Sequence, residues 1–231
     1  MTIKFFEVGG SVRDRLLGLD PKDFDYSVEA PSFQAMHDYI EETHDKIFLS
    51  KPEFLTIRAL RGKEVFDYVM CRKEGAYSDG RHPDSVEPGT IFDDLARRDF
   101  TINAMAVDAK TRDLLDPHDG QKDLESGILR CVGDTHERLS EDPLRLIRAI
   151  RFCLTKAFVP SPEISAIFLD PGWSDKIATV SQDRVRDELM KCFKFDTHQA
   201  MKFLVEETSF ELRDALFYSG NIWLKPTTEQ K

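Results

Sequence analysis

Gly9-Gly10-Ser11-Val12-Arg13-Asp14, followed by Asp23-Phe24-Asp25, is the stretch on which the reading of this chain turns. Residues 3–8, ahead of it, are a short β-rich run, and residues 11–17 read as a helix. Over residues 23–28, Phe24, Tyr26 and Val28 alternate against Asp23, Asp25 and Ser27, which predicts a second strand. Two glycines at a strand-to-helix turn let backbone N–H groups approach a triphosphate with no Cβ in the way. Arg13, one turn on, can reach the same phosphates through its guanidinium fork. Residues two apart on a strand face the same way, so Asp23 and Asp25 present their carboxylates together. Such a pair suits Mg²⁺, a hard cation that takes oxygen ligands and is bound alongside phosphates. Each piece alone has a plainer reading, the glycines as a turn and the D-x-D as a solvated face. Joined by one short helix, they point to phosphate and metal.

Working outward, a helix is expected over residues 32–42 and strands over 46–49, 54–60 and 64–70. Residues 71–89, rich in charge, glycine and proline, read as a long loop, and 114–116 and 128–132 as short strands. From about Thr135 the pattern turns helical, with helices expected over 141–156, 162–169, 181–193, 197–206 and 209–218. The expected organisation is a mixed α/β head over 1–135, then a helical segment over 136–231.

Two further runs carry chemistry. In Arg97-Arg98-Asp99-Phe100-Thr101-Ile102-Asn103-Ala104-Met105-Ala106, the apolar Ile102, Ala104 and Ala106 alternate as a buried strand would. Arg98, Asp99 and Asn103 need polar partners if buried. Either Arg98 meets phosphate while Asp99 and Asn103 meet a ribose or nearby backbone, or an Arg–Asp pair is internal. In Glu141-Asp142-Pro143-Leu144-Arg145-Leu146-Ile147-Arg148-Ala149-Ile150-Arg151, the arginines at 145, 148 and 151 form one ridge, beside an apolar ridge of Leu144, Ile147 and Ile150. Asp142 and Arg145 could meet the donor and acceptor edge of a nucleobase and the later arginines phosphate. Asp142 also suits a helix N-cap, and the two uses are compatible because a carboxylate has two oxygens.

Composition narrows the classes. The chain has 231 residues, 41% hydrophobic and 32% charged, and reads as ordinary globular sequence. Its net charge of −10 weighs against a broad polyanion-binding surface but not against a basic cleft. The four cysteines are dispersed with no C-x-x-C, so reduced thiols are expected and not a zinc site. No apolar run approaches the ~18 residues of a membrane span. The first residues lack a signal-peptide layout, which makes the cytoplasm the expected location. The G-G-x-x-R turn lacks the G-x-G-x-x-G spacing of a dinucleotide fold.

In this order, the G-G-x-x-R-D…D-x-D, R-R-D-x-x-x-N-A-M-A and E-D-x-x-R runs resemble the head of class II tRNA nucleotidyltransferases (CCA-adding enzymes) and the related bacterial poly(A) polymerases. The resemblance covers about residues 3–193. It includes a D-P…G…D-L element at Asp116, Pro117, Gly120, Asp123 and Leu124, and a neck helix over 181–191. It implies an α+β fold: a polymerase-β-like nucleotidyltransferase palm with a small mixed sheet, then an all-helical neck and short body. It further implies Asp23 and Asp25 as the catalytic pair holding Mg²⁺, with two ions expected. Gly9, Gly10, Arg13, Arg98, Asp99 and Asn103 are the expected nucleotide-binding residues of the head. Asp142 and Arg145 would template the incoming base, and Arg148 and Arg151 would assist with the triphosphate. Arg72, Glu74, Tyr77, Arg81 and Pro83 resemble the family's flexible loop, which helps switch from adding C to adding A. The expected substrates are CTP, ATP and an RNA 3′ end, that of tRNA first. Family members continue through helical body and tail domains that grip tRNA, whereas the residues after Phe193 carry no conspicuous basic stripe. A partner or a homo-oligomer would then supplement the grip. The competing readings are poly(A)-like addition to another RNA and a non-catalytic nucleotide- or RNA-binding module.

Overall fold

In the first strand, β1 (Lys4–Val8), Phe6 and Val8 are 3% and 1% exposed, and the chain turns at Gly9 straight into α1 (Gly10–Leu16). The computed structural model describes residues 3–21, 24–74 and 86–217. It divides into two units, Met1–Ser126 and Gly127–Lys231.

In the first unit, β2 (Phe24–Glu29) runs antiparallel to β1, with Val8 opposite Asp25. Ser32 caps α2 (Phe33–Thr43) by accepting the Ala35 N–H. β3 (Lys46–Lys51), β4 (Thr56–Arg61) and β5 (Glu64–Met70) form an antiparallel meander, and β5 then lies parallel to β2. After β6 (Arg72–Glu74) and β7 (Val86–Pro88) come α3 (Ile91–Ala96), β8 (Ala106–Asp108), β9 (Leu114–Leu115) and α4 (Gly120–Ser126). The main sheet has seven strands in the order β3-β4-β5-β2-β1-β8-β9 and is mixed, as expected. Side-chain alternation sends Tyr26, Val28, Tyr68 and Met70 to one face, where Met36 and Ile40 of α2 cover them. Phe6, Val8 and Ala106 face the other way, against Ile91 and Leu95 of α3. Asp25, one residue from Tyr26, belongs to this second face.

Two expectations change here. Residues 71–89 are not loop throughout, because β6 and β7 pair antiparallel with Arg72 opposite Pro88. The strand expected through Ile102 and Ala104 is instead a single 3₁₀ turn, Thr101–Asn103, with Asn103 and Ala104 N–H groups bonded to Phe100 and Thr101 carbonyls. Residues 101–106 are all buried, so their alternation had no solvent side to report.

The D-P…G…D-L element braces that turn. Asp116 accepts the N–H groups of Gly120 and Gln121, and Asp123 accepts the Thr101 hydroxyl at 2.6 Å. A Cβ on Gly120 would lie 2.2 Å from the Thr101 carbonyl oxygen, which is backbone and cannot rotate away. Gly120→Ala is therefore expected to lower stability by about 1–3 kcal/mol, the usual range for forced overpacking. A thermal melt within 1 °C of wild type would refute this account of the brace.

The second unit begins with β10 (Ile128–Leu129) and continues through α5 (Thr135–Glu141), α6 (Leu144–Lys156) and β11 (Val159–Pro160). β11 pairs parallel with β10. Then follow α7 (Pro162–Leu169), α8 (Trp173–Ala178), α9 (Gln182–Phe195), α10 (Thr197–Glu207) and α11 (Phe210–Phe217). The division falls at Ser126/Gly127 and not at the 135/136 read from texture, since the β10–β11 pairing ties residues 128–129 to the later segment. The helix expected over 141–156 starts only at Leu144, after Asp142 and Pro143, because proline supplies no N–H to continue α5.

Candidate active site

Asp25 is exposed on β2, and its in-register partner on the adjacent parallel strand β5 is Asp67. In-register neighbours share a face, so two carboxylates stand side by side on the sheet. Asp67 had not been singled out from sequence, although its place in the Glu64–Met70 alternation carried the signal. Arg58 of β4 grips Asp67 with both fork nitrogens, at 2.7 and 2.6 Å. Oxygen donors of this kind fit a hard divalent cation. Asp23 lies outside the described residues, as do Tyr77, Arg81 and Pro83.

Two residues beyond Asp25, the Ser27 hydroxyl donates to Asp94 Oδ2 at 2.7 Å. Asp94, on α3, is 1% exposed and also accepts from Arg97 Nε (3.0 Å) and Arg98 Nη2 (3.0 Å). Burial pushes its pKa up, but the Arg98 and Arg97 guanidiniums and the Ser27 hydroxyl outweigh burial and hold it at about 2. The internal Arg–Asp pair foreseen for Arg98 thus exists, with Asp94 and not Asp99 as its acid. Arg98 Nη2 also donates to Ser27 Oγ and Nη1 to the Asn103 carbonyl, while its Nε is buried with no hydrogen-bond partner.

The glycine turn is built around the same guanidinium. Gly9 has φ 74°, and a Cβ there would stand 3.0 Å from Arg98 Nη1. Gly10 backs onto Arg13, which is 7% exposed and donates to Asn103 Oδ1 at 2.6 Å and to Asp14. Asn103 donates in turn to Asp99 Oδ1, which also accepts the Phe100 N–H. Asp99 thus contacts neighbouring backbone, one of the two uses read for it. Arg13, Asp99 and Asn103 therefore form an inward chain joining the α1 segment to the Thr101–Asn103 turn. Arg72 lies elsewhere, its Nη1 donating to the Phe54 carbonyl, and Glu74 ends β6.

In the second unit, the α6 ridges are as expected: Leu144, Ile147 and Ile150 are buried and Arg145, Arg148 and Arg151 partly exposed. Asp142 Oδ1 accepts the Leu144 N–H and its Oδ2 accepts Arg184 Nη2 at 2.8 Å. Arg145 Nη1 donates to Glu141 and to the Arg138 carbonyl. Arg151 pairs with Glu188 of α9, itself 4% exposed, and lies over the Phe152 ring, as Arg148 does at longer range. Arg184 and Glu188 sit four apart on α9, inside the neck-helix run of residues 181–191. The four cysteines are free and buried, and burial pushes the Cys153 and Cys192 thiols up to about 12, so they are unreactive. No described helix is long and apolar enough to cross a membrane.

Residues 5–130 match the family described as the Poly A polymerase head domain. The chain belongs to that family. It is 42% identical over 146 residues to the CCA-adding enzyme of Ligilactobacillus salivarius, an alignment covering 63% of this chain and 35% of that protein. Its fold matches the Bacillus stearothermophilus CCA-adding enzyme in complex with CTP at TM-score 0.77 and 25% identity, over 95% of this chain and 52% of that one. It matches the Thermotoga maritima CCA-adding enzyme complexed with tRNA_CCA at TM-score 0.72 and 26% identity, over 97% and 50%. The chain spans a third to a half of the length of these relatives. The α+β architecture expected from the motifs is the family's own, and the family's nucleotidyltransferases are metal-dependent.

Proposed function

We propose that this chain is a nucleotidyltransferase that adds C, A or both, from CTP and ATP, to the 3′ end of tRNA without a nucleic acid template. The reaction joins the RNA 3′ oxygen to the α-phosphorus, breaks the α–β phosphoanhydride and releases pyrophosphate and the hydroxyl proton. The observation that carries this reading is the Asp25–Asp67 pair on one sheet face, with the Arg98 guanidinium set against the Gly9 turn beside the same strand.

Asp23 and Asp25, with Asp67 beside Asp25, are the proposed holders of two Mg²⁺ ions, which when bound would lower the pKa of the attacking hydroxyl and neutralise the departing pyrophosphate. The Gly9–Gly10 backbone and Arg98 receive the triphosphate, and Arg13, Asn103 and Asp99 keep that pocket in shape. Asp142 and Arg145 select the base, Asp142 keeping a second lone pair on each oxygen beyond its present partners. Arg148 adds positive charge toward the triphosphate, as does Arg151 from its anchor on Glu188. Arg72, Glu74, Tyr77 and Arg81 belong to the segment proposed to assist the change from C to A. The buried, free thiols and the tRNA-processing relatives support a cytoplasmic setting. RNA grip beyond the 3′ end is assigned to a partner or a homo-oligomer.

The test is Mg²⁺-dependent incorporation of labelled CTP and ATP into tRNA that ends before CCA. Incorporation of C, A or both, abolished by chelation, is expected. ATP-only extension of unrelated RNA would favour the poly(A) reading suggested by the family's name. Tight binding of CTP and metal with no transfer to any RNA would leave only a binding module.

A further inference from the structure

We propose that Asp94 is a positioning residue for this transfer, clamping the Arg98 guanidinium to the strand that carries Asp25; the assignment rests on the transferase reading above. An Arg–Asp pair four apart on a helix is normally a surface feature contributing little to stability. This one is different. Asp94 is 1% exposed, and its neighbours on the covered side of α3, Ile91 and Leu95, are apolar. Burying a carboxylate costs several kcal/mol unless its partners are well placed, and an apolar residue would serve packing better. What Asp94 does that an apolar residue cannot is hold three donors from two elements at once: Arg97, Arg98 and the Ser27 hydroxyl of β2.

Ser27 is the link. It lies two residues from Asp25 on the same face of β2, donates to Asp94 and accepts from Arg98 at 3.3 Å. The guanidinium is thereby registered against the carboxylate strand and not merely against the helix that precedes it. Its Nη1 stands against the glycine turn with one of its two N–H groups engaged, by the Asn103 carbonyl, so it keeps donor capacity on the side where a Cβ is missing.

Positioning and binding differ in their kinetic signature. Asp94→Asn keeps the shape and leaves the Arg98 charge in place, so attraction for a triphosphate survives while its geometry loosens. With tRNA lacking CCA as acceptor, kcat is expected to fall tenfold or more and KM for CTP to move less than threefold. A KM rise with unchanged kcat, or kcat within twofold of wild type in a folded variant, overturns the proposal. Should Asp94→Asn fail to fold, Ser27→Ala removes only the link to β2. It is expected to lower kcat at least threefold at constant KM, and an unchanged kcat would sink the idea. Nitrogen NMR of the arginine side chains reads the clamp without turnover: hindered Arg98 guanidinium rotation in wild type should become fast in Asp94→Asn. Hindered rotation in a wild type that transfers nothing would reject the transferase reading alone, whereas equal rotation in both proteins would reject the clamp alone.

Discussion

Asp25→Ala is expected to reduce nucleotide incorporation by about 10²–10³-fold or more, the scale seen when a group stabilising transition-state charge is removed. The same substitution should leave the fold standing. Asp25 is exposed, and the strand that carries it is held by backbone pairing to β1 and β5 and by Val28, which is fully buried. A change at such a position normally moves stability by about 0.5 kcal/mol or less. Here it also removes one of two adjacent like charges, Asp25 and Asp67, the second of which Arg58 grips. A melting temperature equal to wild type or slightly above it, together with lost activity, would mark the carboxylate as kept for chemistry at some expense in stability. Circular dichroism melts beside an incorporation assay separate the outcomes. Retained activity in Asp25→Ala would remove the metal site from this strand altogether. Asp67→Asn should be milder, because Arg58 already shares that carboxylate.

Alternation is readable in β5, whose two faces differ in burial. Residues 64–70 were placed to the residue because Tyr68 and Met70 pack under α2 while the intervening positions do not. Where both sides are buried, as over 101–106, alternation survives in the sequence but loses its meaning. α3 went unread for another reason. Its signal, Thr90 followed by Asp93, is a complete capping box, but it opens a helix of six residues with little room for a periodic pattern. The unit boundary was out of reach because the parallel pair of Ile128 with Val159 joins positions far apart in the chain.

The motif residues were legible as a set, while their division of labour was not. Sequence offered Arg13, Arg98, Asp99 and Asn103 as one group of nucleotide contacts. The fold turns three of them inward, Arg13 onto Asn103 and Asn103 onto Asp99, and leaves Arg98 against the glycine turn. Spacing along a chain reports which residues are near one another, but not which bond internally. That depends on partners such as Asp94 and Ser27, which no motif marked.

Asp142→Ala and Arg145→Ala should each cut the preference for CTP and ATP over UTP and GTP by about 10- to 100-fold, the value of one good bidentate contact to a base. The chemistry is directional. Cytosine and adenine both offer an exocyclic amine donor beside a ring-nitrogen acceptor, whereas uracil and guanine offer a carbonyl beside a ring N–H. A carboxylate can only accept and a guanidinium can only donate, so the pair matches the first edge and opposes the second. The partners of Asp142 leave room for this. Asp142 has one bond to each oxygen, from Leu144 N–H and Arg184, and each oxygen retains a second lone pair. Arg145 is held by Glu141 through Nη1, which fixes the plane of its fork. Loss of selectivity should therefore come mainly from a fall in kcat/KM for CTP and ATP, with UTP and GTP nearly unchanged. Arg184→Ala supplies the control, since it leaves the Asp142 carboxylate in place with one restraint fewer and should cost less selectivity than Asp142→Ala. Full discrimination in both the Asp142 and Arg145 variants would mean that the base is read elsewhere, and that this corner of α6 does no more than cap a helix.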